Sequence, residues 1–238
     1  MKNTFKAIFF DLDGTLRIPT PSPTDAFILF ARSINVQIDP VSERHVKVWA
    51  HKYWGQHQLV QQDMERFDTD GFWINYSRLL LENVKANHDI NQRAKLVREW
   101  FDDGYDPAVT IAPGSIKILN WLKEQGYTLG VISNRSQPFH DVLEQLQISQ
   151  FFDYTLAAGE IGIWKPNPLI FSHFITQFED LSPEECIYVG DNYFADGLGA
   201  RAAGLFPVLF DPDNIYEQPE LKRIQHMEEL QHILQPCH

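Results

Sequence analysis

The order in which strand-like and helical patterns follow one another most narrows the folds open to this chain. Short apolar runs at Thr128 to Ile132, Tyr154 to Ala157, Cys186 to Val189 and Phe206 to Phe210 alternate with helical patterns over Phe139 to Leu146, Pro168 to Phe178 and Tyr193 to Ala203. Such alternation predicts a parallel sheet with helices on both faces. One further run, Ala7-Ile8-Phe9-Phe10, stands far upstream and reads as another strand buried on both faces. Between them the pattern is helical. Phe27, Phe30, Ala31 and Ile34 recur at helical spacing, as do Leu79, Leu80 and Val84, and then Ala94, Val97 and Phe101, with breaks at Asp70-Gly71 and Asn87-His88-Asp89. The first strand and the later block therefore form one doubly wound, mostly parallel α/β core, into which an all-helical segment is inserted. The expected divisions are 1–19 with 107–238 for the core and 20–106 for the insertion, with hinges near 17–23 and 102–113. The first connector, Ile18-Pro19-Thr20-Pro21-Ser22-Pro23-Thr24, has prolines at alternate positions and predicts an extended segment with Thr24 as the helix N-cap.

Composition excludes several classes of function. With 32 acidic against 20 basic residues the net charge is −12, and no Lys/Arg cluster exists to track a phosphate backbone, so nucleic acid is not expected as a bulk partner. No apolar run reaches the ~20 residues that span a bilayer, and the amino terminus leads directly into a strand, so the expected location is cytoplasmic, away from membranes. The two cysteines, Cys186 and Cys237, make no disulfide framework and carry no expected chemistry. The tail Pro236-Cys237-His238 is read as a frayed end rather than a metal site.

Phe9-Phe10-Asp11-Leu12-Asp13-Gly14-Thr15-Leu16 places two carboxylates one residue apart where the first strand ends. In a parallel sheet that end faces the ligand crevice. Taken alone, Asp-Leu-Asp-Gly-Thr could be an ordinary turn, so partners downstream decide. Leu129-Gly130-Val131-Ile132 runs into Ser133-Asn134-Arg135, which sets a hydroxyl and turn N–H groups at another strand end, suited to an oxyanion. Lys165 precedes Pro166, and Pro168 opens the next helix. Ile187-Tyr188-Val189 ends in Gly190-Asp191, with Asp196 at the start of the following helix. If Asp11, Asp13 and Asp191 converge, like-charge repulsion disfavours ionising all three, and a divalent cation removes that conflict. The donors are hard oxygens with no His or Cys among them, which selects Mg2+ and points to phosphoryl chemistry.

These four segments, in this order, resemble the motifs of the haloacid dehalogenase superfamily, in its magnesium-dependent phosphatase branch, and the resemblance extends over the whole chain. It implies a Rossmann-like core with a helical cap where the insertion lies. It further implies that Asp11 is the nucleophile that becomes an aspartyl phosphate. Asp13 would protonate the leaving alcohol, then activate the hydrolytic water, and touch the metal through its backbone carbonyl. Asp11 and Asp191 would ligate Mg2+ through their carboxylates. Asp196 would act from behind them, fixing a metal-bound water or Lys165. Ser133, Lys165 and the turn N–H groups around Asn134 would bind phosphoryl oxygens. The expected activity is hydrolysis of a small phosphorylated metabolite.

Asp13 separates this reading from the superfamily's dehalogenases, which generally lack a carboxylate there. A phosphosugar mutase keeps both aspartates, and a non-catalytic binding protein on the same fold is a further alternative. Asn167 stands where many relatives carry Asp, and Arg17 either meets an anionic substrate or forms a surface ion pair. In the insertion, Arg44, His45, Lys47, Trp49, His51, Tyr53, Trp54 and His57 lie close in sequence. Trp49 and Tyr53 share a helix face and are expected to pack, the alternative being a mixed aromatic and cationic substrate lining. Neither the substrate nor the oligomeric state is legible at this level.

Overall fold

The computed structural model describes residues 5–86 and 88–234. Asn87, Met1 to Thr4 and the tail Pro236-Cys237-His238 lie outside the described residues. The chain divides into two units, Met1–Ile18 with Thr110–His238, and Pro19–Val109.

The first unit is built on a six-stranded sheet in the order β5-β4-β1-β6-β7-β8. Its strands are β1 (Ala7–Phe10), β4 (Thr128–Ser133), β5 (Tyr154–Ala157), β6 (Cys186–Gly190), β7 (Phe206–Phe210) and β8 (Lys222–Ile224). All the pairings are parallel. Two further short strands, β2 (Arg17–Thr20) and β3 (Ala108–Ile111), form a separate two-stranded sheet. Alternate residues of β1 serve different cores, as a pleated strand requires. Ile8 and Phe10 pack with Ile118, Leu119 and Leu122 of α6 (Ser115–Glu124) and Leu143 of α7 (His140–Gln145). Ala7 and Phe9 pack with Ile170, Phe171 and Phe174 of α9 (Pro168–Ile175). Every residue of β1 is buried, which is why the run carries no polar alternation.

One sequence expectation is corrected in this unit. The segment Tyr193 to Ala203 is not one regular helix: a single π-helical turn at Tyr193–Gly197 continues into α10 (Leu198–Ala202). Asn192 caps this turn, its side-chain oxygen accepting from the N–H groups of both Phe194 and Ala195. β2, β3 and β8 were not foreseen, since their three or four residues include exposed or half-buried polar positions and lack a buried apolar signature.

The second unit is helical: α1 (Pro23–Ser33), α2 (Pro40–Trp54), α3 (His57–Arg66), α4 (Thr69–Asn83) and α5 (Ile90–Gly104). Phe27 and Ala31, Val46 and Ala50, Leu80, Leu81 and Val84, and Ala94 and Val97 make one core, and Tyr53, Val60 and Phe72 a smaller one. The helix starts differ from expectation. α1 is capped by Ser22, whose hydroxyl accepts from the Asp25 N–H at 3.1 Å, and not by Thr24, because Pro23 is already suited to the first helical position. Asp70-Gly71 is no break. Asp68 caps α4 by accepting from the Gly71 N–H at 2.7 Å, so those two residues form its first turn. No helix among the described residues is long and apolar enough to cross a membrane.

Candidate active site

Strand register decides what meets at the site. β1 lies between β4 and β6, with Phe10 level with Val131 on one side and Val189 on the other. The next residues along these strands, Asp11, Ile132-Ser133 and Gly190-Asp191, therefore emerge together at the carboxyl end of the sheet. The chain moves outward from β1 to β4 and β5 on one side and to β6 and β7 on the other, which is the switch point where α/β sheets bind ligands.

Lys165 occupies the centre of this region although its residue is 2% exposed. Its ammonium lies 2.6 Å from Asp11 Oδ1, 2.7 Å from Asp196 Oδ1, 2.9 Å from the Tyr188 hydroxyl and 3.1 Å from the Ile132 carbonyl. Four oxygens thus surround three N–H donors. Burial alone would lower the Lys165 pKa, but Asp11 and Asp196 outweigh it and hold the pKa well above the ordinary lysine range. Asn134 fixes the backbone on which the lysine stands: its amide donates to the Lys165 carbonyl at 3.0 Å and accepts from the Lys165 N–H at 2.8 Å.

Asp11, Asp191 and Asp196 each present a carboxylate oxygen within 4.8 Å of the others. Gly14 and Gly190 make the approach possible. Gly14 has φ +95°, and a Cβ there would sit 2.4 Å from an Asp191 oxygen; one on Gly190 would sit 2.4 Å from Asp196. Thr15 ties the first loop to the fourth, donating to Asp191 Oδ1 at 3.1 Å and accepting from the Asp191 N–H at 3.0 Å. Asp196 Oδ2 accepts from the Asn192 N–H at 3.0 Å. Burial, opposed in part by Lys165, pushes the Asp11 carboxyl up to about 7. Desolvation, with Asp11 and Asp196 nearby, holds Asp191 well above the carboxylate range. Such a cluster of hard oxygens whose ionised forms repel one another has the chemistry to hold a divalent cation.

A linked pH effect follows. Asp11 titrates at about 7 folded, against 3.8 ordinarily, so between those values the native state keeps protons the unfolded chain has lost. The stability of the metal-free protein therefore falls as pH rises from about 4 to about 7 through this group. A cation must displace those protons below pH 7 but not above it. A divalent cation held by these carboxylates should raise the thermal midpoint more at pH 8 than at pH 5, read by thermal melts with added divalent cation and with chelator. Equal increments would mean the carboxylates are already ionised at the lower pH.

Ser133 is 2% exposed, and its hydroxyl has no hydrogen-bond partner among the described residues. Asp13 is not part of the carboxylate cluster. Its side chain is turned to Arg135 and Arg17, with Arg135 Nε 2.8 Å from Oδ2 and Nη2 2.9 Å from Oδ1, and Arg17 Nη1 3.1 Å from Oδ1. Of the two readings for Arg17, the structure displays an ion pair, made to Asp13. Thr15, Tyr188 and Arg135 join the site without a role readable from the sequence. Thr15 had a positional signal inside the first motif, whereas Tyr188 was hidden in an apolar strand. Asn167 caps α9, accepting from the Leu169 N–H at 3.0 Å. Cys186 is buried, and burial pushes its thiol up to about 12, so it is inert as a nucleophile at neutral pH.

The sequence profile of the haloacid dehalogenase-like hydrolases matches residues 5–204. This chain belongs to that family. Among similar haloacid dehalogenase-like hydrolases, a glyceraldehyde 3-phosphate phosphatase from Methanothermobacter thermautotrophicus is 28% identical over 87% of this chain and 86% of its own length. A protein of the same description from Pyrococcus furiosus is 35% identical, but the match spans only 41% of each chain. In structure, a predicted phosphoglycolate phosphatase from Haemophilus somnus superposes with a TM-score of 0.62 at 21% identity, over 99% of this chain and all of the other. That likeness establishes the haloacid dehalogenase-like fold.

The helical unit holds a cavity of about 390 Å³ of its own. Trp49 and Tyr53 line it together with Lys52, Arg66, Asn75 and Arg78. The two aromatic rings also stack at 5.4 Å, so they pack, as expected, and form a lining as well. The other candidates from the sequence are not in that lining. Lys47 pairs with Asp25 at 2.6 Å, and Trp54 donates to the Tyr76 hydroxyl at 2.9 Å.

Proposed function

We propose that this protein is a phosphatase that hydrolyses a small phosphorylated metabolite through an aspartyl phosphate. The observation that carries the reading is the buried Asp11, aligned by Lys165 and grouped with Asp191 and Asp196, with Asp13 two residues away. Two of the relatives named above are glyceraldehyde 3-phosphate phosphatases, which supports a small phosphorylated substrate.

Lys165 fixes the Asp11 carboxylate through Oδ1, and Oδ2 has no hydrogen-bond partner among the described residues. Asp11 attacks phosphorus, the bond to the bridging oxygen breaks, and Asp13, which must enter this step released from its arginine pair and carrying a proton taken from water, gives that proton to the departing alcohol. Asp13 then takes a proton from a water molecule, whose oxygen attacks the phosphorus of the intermediate, releasing inorganic phosphate and restoring Asp11. The Ser133 hydroxyl, the turn N–H groups around Asn134 and the Lys165 ammonium stabilise the charge on the phosphoryl oxygens. Asp11, Asp191 and the Asp13 carbonyl are the groups proposed to hold Mg2+, with Asp196 positioning Lys165; the family's phosphatases typically use this ion. When bound, it neutralises charge on the phosphoryl group and on the carboxylates. The cavity of the helical unit carries Lys52, Arg66 and Arg78 but also Asp63, and that unit is the proposed specificity-setting cap. A cytoplasmic site of action belongs to the same reading and rests on the sequence.

The direct test is release of inorganic phosphate from a panel of phosphorylated metabolites with Mg2+ present. Isomerised product without net phosphate release would instead identify a mutase. D13N should lower kcat by about 100-fold or more for alkyl phosphates, since general acid–base catalysis typically contributes 10²–10⁴-fold. The loss should be smaller for p-nitrophenyl phosphate, whose leaving group needs no proton. Equal losses for the two substrates would contradict the acid role.

A further inference from the structure

Both carboxylate oxygens of Asp13 are engaged by arginine. Arg135 spans them in a fork at 2.8 and 2.9 Å, and Arg17 adds a contact to Oδ1 at 3.1 Å. A guanidinium fork on a carboxylate is among the stronger and more directional ion pairs available to a protein. Yet the role proposed for Asp13 requires one of its oxygens to face the bridging oxygen of the ester with a proton between them. An arginine N–H at that oxygen would set a donor against a donor. The fork therefore has to open before Asp13 can act.

An anion with two oxygens is the partner that can draw Arg135 away, because it offers the same geometry as the carboxylate it replaces. The direction from which it comes is also defined. Ser133 ends β4 beside Asp11, and the Lys165 ammonium reaches Asp11 from the loop before α9, where the transferred phosphoryl group is to be held. Asp13 addresses the bridging oxygen, so its partner Arg135 stands on the alcohol side of phosphorus. The Arg135 and Asp13 side chains are 32% and 38% exposed, open to an incoming solute. Arg135 Nη1 has no hydrogen-bond partner among the described residues, which leaves a donor for the first contact. Its backbone is anchored, the Arg135 carbonyl accepting from the Gly159 N–H at 3.0 Å, so the side chain can swing while the loop stays.

We propose that Arg135 is a specificity-determining residue that recognises a second anionic group, a carboxylate or phosphate carried by the alcohol, and that moving from Asp13 to this group frees Asp13 for the leaving oxygen. Arg17 keeps its single contact to Oδ1, and Oδ2 becomes the free atom. The inference rests on the phosphatase reading above.

The test compares kcat and KM of wild type, R135A and R135K for 2-phosphoglycolate, 3-phosphoglycerate and fructose 1,6-bisphosphate, each against glycerol 3-phosphate, whose alcohol is uncharged. Wild type should favour at least one anion-bearing ester. In R135A that preference, as a ratio of kcat/KM values, should fall about 10- to 100-fold, the usual scale for a charged hydrogen-bonded contact, mostly through KM. R135K should recover part of it, and millimolar methylguanidinium should restore R135A towards wild type. General destabilisation would lower all rates alike and leave the ratio unmoved. An unchanged ratio, or a wild type that turns over p-nitrophenyl phosphate but favours no anion-bearing ester, overturns the proposal alone. A wild type that hydrolyses no ester in the presence of Mg2+ overturns the phosphatase reading and this proposal with it.

Discussion

Replacing Asp11 with asparagine is expected to lower kcat by at least about 10⁴-fold while leaving the protein folded, because loss of a covalent nucleophile leaves only binding and electrostatic assistance. The amide is nearly isosteric with the carboxylate but cannot form the acyl phosphate. Lys165 would keep Asp196 at 2.7 Å, the Tyr188 hydroxyl and the Ile132 carbonyl as partners, so its charge stays paired. Stability should move the other way from activity. Burial holds the Asp11 carboxyl up at about 7, which means its ionised form is disfavoured in the native protein. At pH 8 without metal, D11N should therefore melt at or above the wild-type temperature. Full retained activity would remove Asp11 from the role of nucleophile, and a large drop in the melting temperature would show that its charge is structural.

Replacing Lys165 with methionine should have the largest effect on stability, a loss of about 3–5 kcal/mol, the usual cost of breaking a buried ion pair from one side. Methionine preserves most of the stem volume, so the change isolates the charge. Asp11 and Asp196 would then face each other and Asp191 with no cation among them. The deficit should be smaller at pH 5 than at pH 8, since Asp11 can take up a proton at the lower pH. Urea unfolding at both pH values, in chelator, measures it. A pH-independent change below about 1 kcal/mol would mean that the ammonium contributes little beyond its packing. Activity should be lost as well, because the carboxylate of Asp11 would no longer be oriented.

The parallel core was legible because β1, β4, β5, β6 and β7 are short apolar runs, and burial on both faces leaves little room for polar residues. β8 was not, with Lys222 exposed at an edge of the sheet. The polar residues that follow β1, β4 and β6 stood out for the same reason: each interrupts an apolar run at a strand end. Tyr188 could not be singled out, since a tyrosine inside such a run looks like ordinary core until its hydroxyl is found 2.9 Å from a buried lysine. Nor could Arg135, which follows Ser133-Asn134 as one more polar loop residue and acquires meaning only through a partner far away in sequence.

Local periodicity and the abrupt change from apolar to polar are enough to read the alternation of strand and helix and the residue types waiting at the strand ends. That β1 lies between β4 and β6, and with it which ends converge, follows from strand pairing that no local pattern encodes. Tertiary packing also sets how the charges are shared: Lys165 between Asp11 and Asp196, and Arg135 on Asp13. Pairing of this kind depends on distance and burial between residues remote along the chain, and one residue can offer the same charge to several partners until packing leaves it within reach of one.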